Sequence, residues 1–315
     1  MKELQIEACD ANQRLDKYLK RYFQNASSGF LYKMLRKKNI TLNKKKADGH
    51  ELLQVGDVIS VFFSDETFAT MQGNTAADPE YIRLSKQSYP HVSVVYENED
   101  LIVLNKPAGI LTQKAKMEDV SLNDELLSYL IANHKLSATR FGMFKPSVAN
   151  RLDRNTSGLV LAGKNLAGQQ FLSEALRSRD AKKTYHCVVC GRIEQEATME
   201  AYLTKDPASN TVKIHQVEHP GSKLIRTRFR PLQVGDELTL LEVDLLTGRT
   251  HQIRAHMAFL GHPVLGDMKY GDEEMNRRYR KSHGVRRQLL HAYRIQLPGG
   301  IDCRAEDPEE FLQLF

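Results

Sequence analysis

A chain of 315 residues, 41% of them hydrophobic, is long enough for a sizeable core and for more than one domain. Its longest apolar runs, residues 101–104 and 159–162, fall far short of the roughly 20 residues that cross a bilayer, and Met1-Lys2-Glu3-Leu4 lacks an apolar secretion-signal core, so a membrane-spanning helix is excluded and a cytoplasmic location is expected. Net charge is +6, and residues 1–63 alone hold twelve Lys and Arg against seven Asp and Glu, a concentrated excess that points to a polyanion such as RNA or DNA.

Residues 1–63 read as a small αβ unit. Leu15, Tyr18, Leu19 and Tyr22 form one stripe of a helix over 14–23. Ser28 is the expected N-cap of a second helix over 30–38, with Phe30, Leu31, Met34 and Leu35 inward and Lys33, Arg36, Lys37 and Lys38 on the other face. A strand at 40–42, a turn bearing Lys44, Lys45 and Lys46, and a strand at 58–63 after Val55-Gly56-Asp57 complete it. Residues 64–90 lack sustained periodicity, contain Gln72-Gly73-Asn74-Thr75 and Asp78-Pro79, and read as an interdomain linker whose Tyr81, Ile82 and Leu84 suit packing on the larger domain.

Residues 91–315 read as one α+β domain. Strands at 92–96 and 101–104 flank a four-residue loop as a β-hairpin. A strand at 159–163 precedes a helix capped by Asn165, and further strands fall at 184–189, 198–203, 213–215 and 238–245. Of Cys9, Cys187, Cys190 and Cys303, two form a C-x-x-C within a strand. Residues three apart on a strand point to opposite faces, so buried thiols are expected there rather than a metal site.

Four segments carry candidate chemistry. Asn150-Arg151-Leu152-Asp153-Arg154-Asn155-Thr156-Ser157-Gly158 sets a carboxylate between arginines before an apolar strand, and by itself suits a capped surface turn as well as a catalytic loop. Thr247 to His256 opens a helix, with Thr247 or Thr250 as cap, and puts Arg249 and His251 where the helix dipole disfavours cations, which suggests a bound anion. Asn105-Lys106-Pro107-Ala108-Gly109 is a turn stiffened by Pro107 and freed by Gly109. Lys183-Thr184-Tyr185 offers an aromatic ring for core packing or for stacking on a base.

In order and content these segments resemble the RluA family of pseudouridine synthases, as do Gly261-His262-Pro263-Val264-Leu265-Gly266-Asp267 and Leu289-Leu290-His291-Ala292. The likeness spans residues 91–315, with Asn150 where the family most often has His. Residues 1–63 resemble the small S-four-like RNA-binding domain that many family members carry. The resemblance implies a pseudouridine synthase fold, α+β with a mixed, largely antiparallel central sheet. It also implies isomerisation of uridine in RNA, large-subunit ribosomal RNA before transfer RNA, a reaction that needs neither cofactor nor metal; a monomer is the default expectation.

By the same resemblance Asp153 is the catalytic carboxylate, acting as nucleophile or as base. A dry site would neutralise it, and a guanidinium about 4 Å away offsets this by about 4 kcal/mol at an effective dielectric of about 20. The motif assigns that partner to Arg254, with Arg249 nearby. Tyr185 would stack on uracil, its hydroxyl a candidate to take the carbon 5 proton, and the apolar character of Ile253 suits it to wall the pocket. Arg151 would fill the gap left by an extruded uridine. Lys33, Arg36 and Lys37 would follow RNA phosphates. The rival readings are a non-catalytic RNA-binding assembly factor and an RNA N-glycosidase, though the latter normally needs a second carboxylate that the motif lacks.

Overall fold

The computed structural model describes residues 1–72, 78–206 and 209–315. The chain begins with β1 (Lys2–Gln5), α1 (Leu15–Tyr22), α2 (Ser28–Arg36), β2 (Ile40–Leu42), β3 (Lys45–Lys46) and β4 (Val58–Val61). The four strands form an antiparallel sheet in the order β1-β4-β2-β3. Its apolar face and the inner stripes of both helices close one core around Leu15, Leu19, Phe23, Leu35, Ile40 and Ile59. The cap of α2 is Ser27, whose side chain accepts from the Phe30 amide, and Ser28 is already helical. The expected cap is thus off by one residue, because adjacent serines offer the same hydroxyl and only Ser27 has extended backbone.

The stretch expected as an interdomain linker holds α3 (Asp65–Gln72) and α4 (Pro79–Ser85). Asp78 caps α4 through the amides of Glu80 and Tyr81, with Pro79 at its first position. Phe68 joins the N-terminal core, and Leu84 the core of the larger body. Neither helix carries a marked apolar stripe: α3 buries Phe68 alone, and α4 buries Leu84 alone, so no periodicity registers. Gly73, Asn74 and Thr75 of the expected linker lie outside the described residues. Arg140 also links the two bodies, donating to Asp10 at 2.6 Å and Glu7 at 2.5 Å.

The rest of the chain runs β5 (Val94–Glu97), β6 (Leu101–Lys106), α5 (Leu122–Ala132), α6 (Ala138–Met143), β7 (Ser147–Val148), β8 (Ser157–Gly163), α7 (Leu166–Ser178), β9 (Lys182–Cys190), β10 (Ala197–Asp206), β11 (Thr211–His215), β12 (Lys223–Val234), β13 (Leu238–Leu245), α8 (Gln252–Phe259), α9 (Glu273–His283), β14 (Leu290–Leu297), β15 (Ile301–Arg304) and α10 (Glu309–Leu312). Among the described residues one sheet of eleven strands is formed, with its main path β11-β10-β12-β13-β9-β14-β8-β6-β5. Every pairing is antiparallel except β14 with β8, so the sheet is mixed and largely antiparallel. The apolar runs of β6 and β8 are explained by burial on both faces. Ile102, Leu104 and Val160 meet Leu122 and Leu126 of α5, whereas Val103, Leu159 and Leu161 on the opposite face pack with Leu172 of α7.

The one parallel junction fixes where the Asp153 loop enters the sheet. Gly158 pairs with Ala292 at φ +106°, and a Cβ there would lie 2.3 Å from the Ala292 carbonyl oxygen, so only glycine allows the approach. On β9, Cys187 and Cys190 lie in different core clusters, and burial pushes both thiols up, to about 12 and about 11.

Candidate active site

The loop between β7 and β8 is held from beneath by buried polar groups. Lys106, fully buried at the end of β6, donates to the carbonyls of Pro107 at 2.8 Å, Ile110 at 3.1 Å and Arg154 at 3.1 Å. Burial lowers its pKa to about 7 against the pull of the Asp153 charge. Thr112 donates to the Leu152 carbonyl and accepts from the Leu152 amide, while the Gly109 amide donates to the Arg154 carbonyl. The 105–109 turn therefore does more than stiffen the chain: it fastens the loop after Asp153, while Thr112 just beyond it fastens the loop before. Asn150 accepts from the Leu161 amide at 2.7 Å and donates to the Leu159 carbonyl, extending the ladder along β8.

Asp153 presents one oxygen to a guanidinium that is itself fixed. Arg254, in the first turn of α8, donates to Asp153 Oδ2 at 2.8 Å and to Asp267 at 2.6 and 2.8 Å. Side-chain exposure falls from 28% at Asp153 to 6% at Arg254 and 0% at Asp267, so two carboxylates share one cation and the surplus negative charge sits at the open end. Burial works to raise the Asp267 carboxyl, yet the Arg254 bonds and the amides of Lys269 and Tyr270 hold it below its ordinary value. Burial opposes the charge on Arg254 as well, and the two carboxylates overcome it. Such a bidentate, dry pairing orients a side chain far better than a lone ion pair.

Around this triad stand Tyr185, His251 and Ile253. Tyr185 is 8% exposed, and burial followed by the Asp153 charge raises its phenol, which keeps its proton. His251 adopts the left-handed backbone at φ 52°, a strained conformation for a residue with a Cβ. Its Nε2 lies 3.8 Å from Asp153 Oδ1 and its Nδ1 2.9 Å from the Tyr270 hydroxyl, and burial lowers its pKa. Ile253 is buried and walls a narrow recess shared with Asp153 and Tyr185. Neither expected hydroxyl caps α8: its N-cap is His251, without a side-chain cap bond, and Thr247 binds Gln252 and the Arg226 amide.

The triad opens into a cleft of about 1530 Å³ lined by twelve lysines and arginines and three carboxylates. The expected residues Asp153, Tyr185, Arg254, Arg151 and Arg249 meet along it, the last two exposed. Lys33, Arg36 and Lys37 do not join them; they are exposed on α2 and its C-cap in the N-terminal body. Residue spacing does not single out Asp267 or Tyr270. Asp267 lies within a motif of the resemblance, but its role needs Arg254 brought against it by the fold.

The stretch 100–259, about half of the chain, matches the family described as RNA pseudouridylate synthase. The protein named ribosomal large subunit pseudouridine synthase C of Vibrio cholerae is 31% identical over 93% of this chain and 87% of its own length. Its namesake from Rickettsia prowazekii is 35% identical over 83% of each. Among solved structures, human RNA pseudouridylate synthase domain containing 1 superposes with a TM-score of 0.57 at 24% identity, covering 70% of this chain and 86% of that one. Human RNA pseudouridylate synthase domain containing 4 gives 0.57 at 20% identity, over 74% and 94%. At these identities the two structures speak for the fold.

Proposed function

This chain belongs to the RNA pseudouridylate synthase family and is an RNA pseudouridine synthase, and from that premise we propose that Asp153 is its catalytic carboxylate and large-subunit ribosomal RNA its substrate. The observation that carries the reading is the Asp153–Arg254–Asp267 triad, in which a carboxylate stands at the mouth of a basic cleft with one oxygen anchored. Arg254 holds Oδ2 and leaves Oδ1 for the ribose, either to bond carbon 1′ or to remove the 2′ proton. In the first case the bond to Asp153 forms as the carbon 1′–N1 bond breaks, and it breaks in turn when carbon 5 of the turned uracil bonds carbon 1′. In the second, loss of the 2′ proton breaks the carbon 1′–N1 bond, and the proton returns to carbon 2′ as carbon 5 bonds carbon 1′. The carbon 5 proton leaves and N1 gains one, so the composition is unchanged. The raised phenol of Tyr185 favours its ring as a platform for the base over its hydroxyl as the proton acceptor.

Isomerisation inside a folded RNA needs the uridine out of its stack, at a cost of a few kcal/mol. Exposed Arg151, two residues before Asp153, occupies the vacated space, and Arg249 and Ile253 bound the pocket. The N-terminal body, read as an S-four-like RNA-binding domain, adds affinity through Lys33, Arg36 and Lys37, and the enzyme acts as a cytoplasmic monomer. Mapping pseudouridines in total RNA from a deletion strain tests the reading. One or a few sites in large-subunit ribosomal RNA should vanish, returning with the wild-type gene and not with Asp153→Asn. Loss confined to transfer RNA would move the substrate, release of free uracil would indicate hydrolysis, and restoration by Asp153→Asn would remove Asp153 from the chemistry.

A further inference from the structure

Lys183 is a cation in the cleft wall that the reaction scheme above does not use. It stands two residues before Tyr185 on β9, so both side chains leave the same face of the sheet, roughly 7 Å apart along the strand. Its Nζ lies 3.3 Å from where a Cβ on Gly248 would be, which puts the ammonium against the loop that carries Arg249. Lys183 is half-buried, and burial alone lowers its pKa.

An ammonium taken partly out of water normally has a carboxylate opposite. The three carboxylates of the cleft are engaged elsewhere: Asp153 by Arg254, Asp244 by the Thr184 hydroxyl at 2.8 Å, and Glu242 by Arg230 at 2.6 Å. Among the described residues no ion pair or hydrogen bond is formed by the side chain of Lys183 or of Arg249. Lys183 thus reaches Gly248, the chain neighbour of exposed Arg249, in the cleft that also holds the ring proposed to carry the base.

We infer that Lys183 and Arg249, meeting at Gly248, form a seat for a phosphodiester of the RNA strand adjoining the extruded nucleotide. An RNA phosphate fits because the cleft is open and basic, and because a partly desolvated cation gains most from an anion that arrives with its own charge exposed. The inference rests on the reading of this cleft as the place where RNA meets Asp153.

A seat of this kind is left uncompensated in the free protein, so removing the charge relieves the fold while weakening the complex. Lys183→Met should melt at or above the wild-type temperature. Binding is measured with a large-subunit ribosomal RNA transcript in an Asp153→Asn background, so the result does not depend on turnover. Removing Lys183 there should make the plot of log affinity against log salt shallower by about 0.7, the share of one phosphate on a single strand, with affinity roughly tenfold lower at low salt. Lys183→Arg should restore the slope. In the active protein, Lys183→Met should raise KM more than it lowers kcat. An unchanged salt slope, or a lower melting temperature, would overturn the seat and make Lys183 a structural strut. A wild-type protein that forms no pseudouridine would instead overturn the catalytic reading while leaving the slope to decide the seat.

Discussion

The basic face of α2 and the triad at Asp153 use the same kinds of side chain under opposite conditions. Lys33, Arg36 and Lys37 stand in water, without fixed partners among the described residues, where salt screens them and no single geometry is imposed. Arg254 is nearly dry, with three of its donors committed to two carboxylates. Exposed charge of the first kind contributes long-range attraction that many sequences could supply. Buried charge of the second kind contributes direction, and each member depends on the others being present.

Breaking the triad should therefore give the largest effect. Arg254→Met leaves Asp267 buried without its cation, and breaking a buried pair in this way costs about 3–5 kcal/mol. Chemical denaturation should show that loss, and turnover should collapse with it. Arg254→Lys restores a charge but not the fork that reaches two carboxylates, so it should recover stability in part and activity less. Equal recovery of both would mean that charge, and not direction, is what Arg254 supplies.

Acid should separate the two regions next. His256 on α8 is fully buried, its Nδ1 2.9 Å from the Thr227 hydroxyl, and burial lowers its pKa to about 4 from an ordinary 6.5. As pH falls the unfolded chain takes this proton first. The stability is full above about 6.5 and drains toward about 4, a loss of about 3 kcal/mol from this group. Urea unfolding of the large body should weaken accordingly between pH 7 and 4.5, and His256→Gln should flatten the change. An unaltered acid limb in that variant would assign the sensitivity to other groups.

What could be read from residues alone follows the same division. Helices α1 and α2, and the strands at 101–104, 159–163 and 238–245, announce themselves because periodicity and apolar runs are local. Asp153, Tyr185 and Arg254 come together only through likeness to a family, since 101 residues separate Asp153 from Arg254 and no spacing rule links them. Lys106 reads as part of a stiff turn because its burial depends on carbonyls from three other positions. Asp267 is invisible for the same reason: a carboxylate's worth as an anchor depends on which guanidinium the fold delivers to it. The helices α3 and α4 escape a reading by pattern because each buries a single side chain, Phe68 and Leu84, where α1, no longer than α3, buries Leu15, Tyr18 and Leu19.

On the N-terminal side, changing Lys33, Arg36 and Lys37 together to Gln tests how diffuse the exposed face is. The salt slope for ribosomal RNA binding should fall by about 2–3, with affinity about 10–100-fold lower at low salt and the difference fading as salt rises. Each single substitution should take about a third of the slope. If one residue carried nearly all of it, the face would be a defined site, and the contrast with the triad would fail.

The finest test lies at the start of the helix that presents this charge. Ser27 accepts from the Phe30 amide and Ser28 is the first helical residue, so alanine should act in opposite senses at neighbouring positions. Ser27→Ala loses the cap and should cost about 1 kcal/mol. Ser28→Ala places a better helix former in an exposed first turn and should gain a few tenths of a kcal/mol. Amide hydrogen exchange along α2 separates the two, because a lost cap frays the first turn before it touches the core residues Leu31 and Leu35. Reversed signs would return the cap to Ser28. Because Lys33 and Arg36 ride on this helix, fraying it should loosen RNA binding slightly while exchange around Asp153 and Arg254 stays as it was, which is how a region that supplies attraction differs from one that supplies direction.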